Sequence, residues 1–172
     1  MARPEVDIDV DPETGIWRTD GLPMLYLPRH FMVNNHVAVE EALGLEAYRA
    51  ILRIATDKSA VHWCKSTAKT LSLSPIETFH RYFKRLSQRG WGQFTVDEID
   101  AGNRHGTISL RNSIFILEQQ SASRAVCYMF EGFMTGALRY LLDADTATMI
   151  NCEEQLCAAT GHTHCRFQFS AR

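Results

Sequence analysis

The chain has 172 residues, of which 45% are hydrophobic and 22% charged, and a formal net charge of −2. That length can bury a substantial core as one domain without a staple, and so balanced a charge gives no electrostatic case for binding nucleic acid. The first ten residues lack the apolar run of a signal peptide, and no stretch approaches the ~20 apolar residues of a membrane span. A cytoplasmic protein without a membrane partner is therefore expected, in which five cysteines serve metal or thiol chemistry rather than disulfides.

Residues 1–13 are acidic and carry Pro4 and Pro12, which predicts a loose arm. Asp20-Gly21 is a hairpin signal between Ile16-Trp17 and the apolar run from Met24 to Leu27, so residues 1–29 are read as an arm and small ribbon preceding the main domain, 30–172. From Pro28 the pattern turns helical through Phe31, Val33 and Val37 to a stop at Gly44, and a second helix runs from Leu45 to about Lys69. Ser74-Pro75-Ile76-Glu77 is a capping box with proline at the first helical position. The helix it starts carries the stripe Ile76, Phe79, Phe83 and Leu86 and stops at Gly90, with Lys84, Arg85 and Arg89 read as its solvated face. Gln93 to Asp100 and Thr107 to Leu110 read as a strand pair, which Ile114 to Leu117 can prolong. Ser123 is the expected cap of a fourth helix to about Leu142, in which Gly132 and Gly136 allow a close approach. Strands from about Thr146 to Leu156 and from Cys165 to Ser170 close the sheet.

The ligand chemistry is concentrated between Cys152 and Phe169, which holds three cysteines, two glutamates and two histidines. Cys165, Phe167 and Phe169 alternate with Arg166, Gln168 and Ser170 as in a half-buried strand, and Gly161 supplies the turn that returns Cys165 toward Cys157. Two ligands of one metal site fit that hairpin, and so does plain packing of core thiols.

Gly90-Trp91-Gly92 before a strand pair, Leu110-Arg111-Asn112-Ser113, and the final run from Cys157 to Phe167 together resemble the 4-vinyl reductase domain family over roughly residues 30–170. That family is related to the ligand-sensor domains of phenol-responsive activators and shares its fold with subunits of vesicle-tethering complexes. The resemblance implies an α+β fold, with an antiparallel sheet of about four to five strands against a helical layer, a homodimer and an apolar ligand cavity. It also implies a structural zinc on Cys127, Glu154, Cys157 and Cys165, which match the order of the sensors' ligands. Three thiolates and a carboxylate suit structural zinc because no coordination position is left open. In an ideal strand, however, Glu154 and Cys157 point to opposite faces. A bulge or an early strand end is required, or else Cys152, His162 or His164 replaces a ligand. Near Leu110 the sensors carry a tryptophan that helps hold phenol, and leucine cannot donate that hydrogen bond.

Apart from the metal, His62, Trp63, Phe79, Phe83, Trp91, Phe94, Tyr128 and Phe133 are the candidates to line a ligand cavity between helices and sheet, with His62 and Tyr128 as polar anchors. Core packing accounts for any one of them singly. The expected function is non-catalytic binding or sensing of a small apolar or aromatic molecule, in an accessory or regulatory role beside a pathway protein. The alternative is an enzyme, a reductase or a tetrapyrrole- or aromatic-modifying accessory, using the same cavity. No Gly-x-Gly-x-x-Gly follows a strand to mark a dinucleotide site.

Overall fold

The computed structural model describes residues 6–119 and 122–172. Strands β1 (Asp9–Val10), β2 (Trp17–Thr19) and β3 (Leu22–Met24) form an antiparallel ribbon turned at Asp20 and Gly21. Helices α1 (Arg29–Leu43), α2 (Leu45–Leu71) and α3 (Pro75–Gln88) follow, then β4 (Gln93–Asp100), β5 (His105–Arg111), α4 (Ile114–Gln119), α5 (Met129–Leu141), β6 (Ile150–Leu156) and β7 (Cys165–Ala171). The last four strands pair antiparallel in the order β4-β5-β7-β6. This is the α+β fold that the resemblance implies.

Local chemistry sets the ends of α3. The Glu77 amide donates to Ser74 Oγ at 3.4 Å and the Ser74 amide donates to the Glu77 carboxylate at 2.9 Å, which satisfies two otherwise orphaned donors. Gly90, at φ +86°, ends the helix in a conformation that a Cβ disfavours. The buried side of α3, Phe79 and Phe83, meets β4, while Phe130 and Phe133 of α5 complete a core shared with Phe167 and Phe169 of β7. Burial of each such ring contributes about 1.5–3 kcal/mol. Helix α5 in turn lies against α2, where Gly132 and Gly136 remove the side chains that would hold the helices apart.

Four boundaries differ from the sequence expectation, each for a local reason. Part of the loose arm, residues 9–10, is ribbon strand, and Asp11 closes the following turn by accepting from the Glu13 and Thr14 amides. Ile114 to Leu117 is helix rather than strand, because Asn112 takes φ +53° and Ser113 Oγ accepts from the Phe115 amide. The helix expected from Arg124 starts at Met129, since the Cys127 amide donates to Glu154 and Arg124 pairs with Glu40. Finally β6 starts at Ile150 because Asp145 draws the Ala147 and Thr148 amides into a turn. The α3 face read as solvated is also docked in part: Arg81, Arg85 and Arg89 all reach the buried carboxylate of Asp20 in the ribbon turn.

His36 of α1 is 2% exposed and packs among the rings of Tyr48, Phe115 and Tyr128. Burial lowers its pKa from 6.5 to about 4, with Glu40 opposing that shift and Arg124 adding to it. The unfolded ring therefore protonates first as pH falls. Its contribution to stability is complete above about pH 6.5 and is lost on the way down to about pH 4, a loss of up to about 3 kcal/mol. Denaturant titrations across this window should show the slope in the parent protein and a reduced slope in His36→Phe, and equal slopes would contradict the buried neutral ring.

Candidate metal centre and ligand cavity

Cys127, Glu154, Cys157 and Cys165 meet at one point in the interior. One ligand atom from each lies within 4.8 Å of the others. Each is delivered by a different local device. Cys127 ends the extended approach to α5, and Glu154 sits on β6. Cys157 precedes a 3-10 turn at Ala158–Thr160, and Cys165 opens β7. The parity obstacle between Glu154 and Cys157 is removed by both of the required features: the register of β6 against β7 shifts between Glu154 and Leu156, and the strand ends at Leu156. A bulge of this kind re-aims the side chains beyond it.

The sulfur geometry separates a metal cluster from a disulfide. Cys127 Sγ lies 3.6 Å from Cys165 Sγ, and Cys165 Sγ lies 3.9 Å from Cys157 Sγ, whereas a disulfide requires about 2.05 Å. A tetrahedral ion with metal–sulfur bonds of about 2.3 Å spaces its sulfurs about 3.8 Å apart. Glu154 fits the same arrangement. One carboxylate oxygen accepts from the Cys127 amide at 3.0 Å. The other, Oε1, is buried with no hydrogen-bond partner among the described residues, an expensive state for a carboxylate unless a cation receives it.

Charge points the same way. Burial, and then contact with Cys157, pushes the Glu154 carboxyl up to about 9. Cys127 is pushed up by its contacts with Cys157 and Cys165 and by burial. Cys165 is drawn down by Cys127, but Cys157 and burial outweigh that and raise it. Cys157 is held low by its contacts with Cys127 and Cys165, which favour its thiolate. Burial and mutual contact therefore oppose full ionisation of the four groups, which a cation would relieve.

The surrounding residues fix this set. Cys127 Sγ donates to Ser113 Oγ at 3.2 Å, and the Ala158 amide donates to Cys165 Sγ at 3.4 Å. Glu131, 1% exposed on α5, accepts from Arg49 at 2.6 and 3.0 Å and from the Glu154 amide at 3.3 Å, so it positions β6 at the ligand. Sequence reasoning missed Glu131, although a lone carboxylate inside Met129-Phe130-Glu131-Gly132-Phe133 was the available signal. Cys152 is not in the cluster, since its sulfur lies 3.7 Å from Met134 Sδ. His162 and His164 also stand apart from it.

The candidate ligand residues separate. Trp63, Phe79, Phe83, Phe94 and Phe133 pack ring against ring, together with Tyr82 and Phe130. His62 is exposed on α2, and the Tyr128 hydroxyl donates to Glu40 at 2.5 Å. Phe83 and Phe94 edge an open hollow beside His80 and Lys84. A mainly apolar cavity of about 150 Å³ lies on the N-terminal side of Trp91, walled by Met24, Tyr26, Leu27, Met32 and Ile114, with Arg29 and Arg89 at its border. Trp91 is the one candidate that borders it. A larger hollow at Arg53, Arg139 and the start of β6 is mostly polar.

A family model described as a domain of unknown function, DUF5943, matches residues 2–97, a range that holds most of the cavity wall. No curated protein matches. Among solved structures, the phenol-responsive sensory domain of the transcription activator PoxR, determined with phenol, is 21% identical with a TM-score of 0.78, over 95% of this chain and 84% of that one. A trafficking protein particle complex subunit 3 from Naegleria fowleri, covalently bound to palmitic acid, is 13% identical with a TM-score of 0.56, over 84% of this chain and 95% of that one. A vinyl-4-reductase family protein from Methanocaldococcus jannaschii is 17% identical with a TM-score of 0.56, over 87% of this chain and 84% of that one. At these identities the likeness is one of fold, and it joins the three groups named in the resemblance. No helix among the described residues is long and apolar enough to cross a membrane.

Proposed function

The chain belongs to the DUF5943 family, a domain of unknown function, and from that premise we propose that it is a non-catalytic domain that binds or senses a small apolar or aromatic molecule. The observation that carries this reading is the apolar cavity at Trp91, in a fold whose relatives hold phenol in one case and palmitic acid in another. Cavities with apolar walls and few polar groups are the usual form of small-molecule sites. Its volume of about 150 Å³ suits a ligand of about one ring, since an engineered apolar cavity of about this size holds benzene.

Cys127, Glu154, Cys157 and Cys165 would hold zinc in a structural role. When bound it supplies cross-linking and charge neutralisation, because four protein ligands leave no open position for substrate. The second copy expected in a homodimer would cover the outer side of α1 and α2. On these helices Phe31, Leu43, Ile51 and Ile54 are each at least half exposed, apolar surface that a second copy would take out of water.

Native mass spectrometry of the protein purified from its own host should find two chains, one zinc per chain and a retained small molecule. Ile54→Glu should shift the mass to a single chain in light scattering while keeping the zinc. A monomeric parent protein would remove the dimer, substoichiometric metal in reduced protein would remove the zinc, and failure of any one-ring ligand to bind would remove the sensing role.

A further inference from the structure

Two arginines, Arg29 and Arg89, are among the residues that line the mainly apolar cavity. Arg89, at the end of α3, has an 11% exposed side chain. It pairs with Asp20 Oδ2 at 3.4 Å, while the other Asp20 oxygen accepts from Arg85 at 2.8 Å and from Arg81 at 3.1 Å. Arg89 Nε is buried without a hydrogen-bond partner among the described residues, and its guanidinium carbon lies 5.7 Å from the centre of the Trp63 ring. Burial lowers its pKa, and Asp20 offsets this only in part.

A guanidinium has five donors and no acceptor. Shielding one from water while leaving donors unused is costly unless an acceptor of opposite charge completes it. Asp20 engages one of these donors, through the 3.4 Å hydrogen bond from Arg89 Nη2 to Oδ2, and leaves Nε over. The position of Arg89 at the border of a ligand-sized cavity lets a ligand be that acceptor. The flat wall at Trp91 and the thioethers of Met24 and Met32 suit a ring, and a planar guanidinium suits a carboxylate, which it can bind through two parallel hydrogen bonds. Arg29, on the same border, adds a second cation.

We propose that this cavity takes a small organic carboxylate of about one ring, its anionic group on Arg89 and its apolar body against Trp91. This rests on the small-molecule reading above and narrows it from apolar or aromatic compounds to aromatic or similar acids. Arg89 and Arg29 offer this cavity cationic donors that suit the anionic group of an acid.

The test compares benzoate with benzyl alcohol, a neutral compound of nearly the same shape, and with toluene. Binding to the full chain as purified is followed by calorimetry and tryptophan fluorescence near neutral pH. Benzoate should bind at least about tenfold more tightly than benzyl alcohol. Rising salt should weaken benzoate alone, and Arg89→Gln should abolish the preference while Arg89→Lys keeps part of it. Equal binding of benzoate and benzyl alcohol, or an unchanged preference in folded Arg89→Gln, overturns the acid and leaves the small-molecule reading standing. Failure of all three compounds to bind at millimolar concentration overturns both. Should Arg89→Gln not fold, the ligand pair and its salt dependence decide the matter in the parent protein.

Discussion

Cys157→Ser and Cys165→Ser are each expected to lose the metal and to melt roughly 10–20 °C below the parent protein, which corresponds to about 5 kcal/mol in a domain of this length. The size of the effect follows from where the four ligands sit. They join the approach to α5, the end of β6 and the start of β7, so an ion held there ties the C-terminal hairpin to the central helix. Binding energy at a structural zinc is folding energy, on the order of 10 kcal/mol or more in the smallest zinc domains. Set against a total stability of about 5–15 kcal/mol, losing even part of it is severe. Cys152→Ala is the control. Its sulfur is equally buried but touches Met134 outside the cluster, so its loss should cost only a small cavity and leave one zinc per chain by elemental analysis. If all three variants melt within a few degrees of one another and metal content does not change, the cysteines are ordinary core thiols.

Where a signal was local, the chain revealed it. The capping box at Ser74 and Glu77, the stop at Gly90, the hairpin turn at Asp20-Gly21 and the alternation of Cys165, Phe167 and Phe169 all reappear at those residues. What was not legible depended on competition between local and distant partners. Ile114 to Leu117 reads as strand by composition, yet the left-handed Asn112 and the Ser113 hydroxyl turn it into α4. Residues 124–128 carry no helix breaker, but the Cys127 amide is held by a carboxylate on β6, and a helix that began at Arg124 would surrender that bond.

The metal set shows both sides of this limit. Residue spacing placed Cys157 and Cys165 together across a turn, while Cys127 and Glu154 entered only through the resemblance. No periodicity announces the bulge after Glu154 that lets it and Cys157 face the same point. The cavity was harder still. The aromatic residues proposed to line it pack on one another, and the observed cavity depends on the ribbon docking at Trp91. That docking runs through Asp20 and the α3 arginines, which sequence alone presents as a solvated face because their partner is some sixty residues away.

Gly132→Ala and Gly136→Ala are expected to destabilise the protein by at least about 2 kcal/mol each, although alanine is the better helix former. In an exposed helix the exchange would gain about 1 kcal/mol. Here a Cβ at Gly132 would lie 2.0 Å from Thr56 Oγ1 and 2.7 Å from the Arg53 carbonyl oxygen, and one at Gly136 would lie 2.3 Å from the Asp57 carbonyl oxygen. A rotamer change can move Thr56, but not the carbonyls, which belong to the backbone of α2. To admit a methyl group the two helices must separate where Gly132 meets Arg53 and Thr56 and Gly136 meets Asp57 and Ala60. Overpacking of this kind typically costs 1–3 kcal/mol in a core with some freedom to adjust, and a helix backbone has little. At Gly132 the same shift would also disturb neighbouring Glu131, whose carboxylate holds the Glu154 amide within the candidate metal cluster. Gly132→Ala should therefore lower metal retention during dialysis against a chelator, and Gly136→Ala, one turn further along α5, should lower stability with little effect on the metal. Melting temperatures equal to or above the parent value in both variants would show that helix propensity outweighs the crossing and would refute the close approach of α2 and α5.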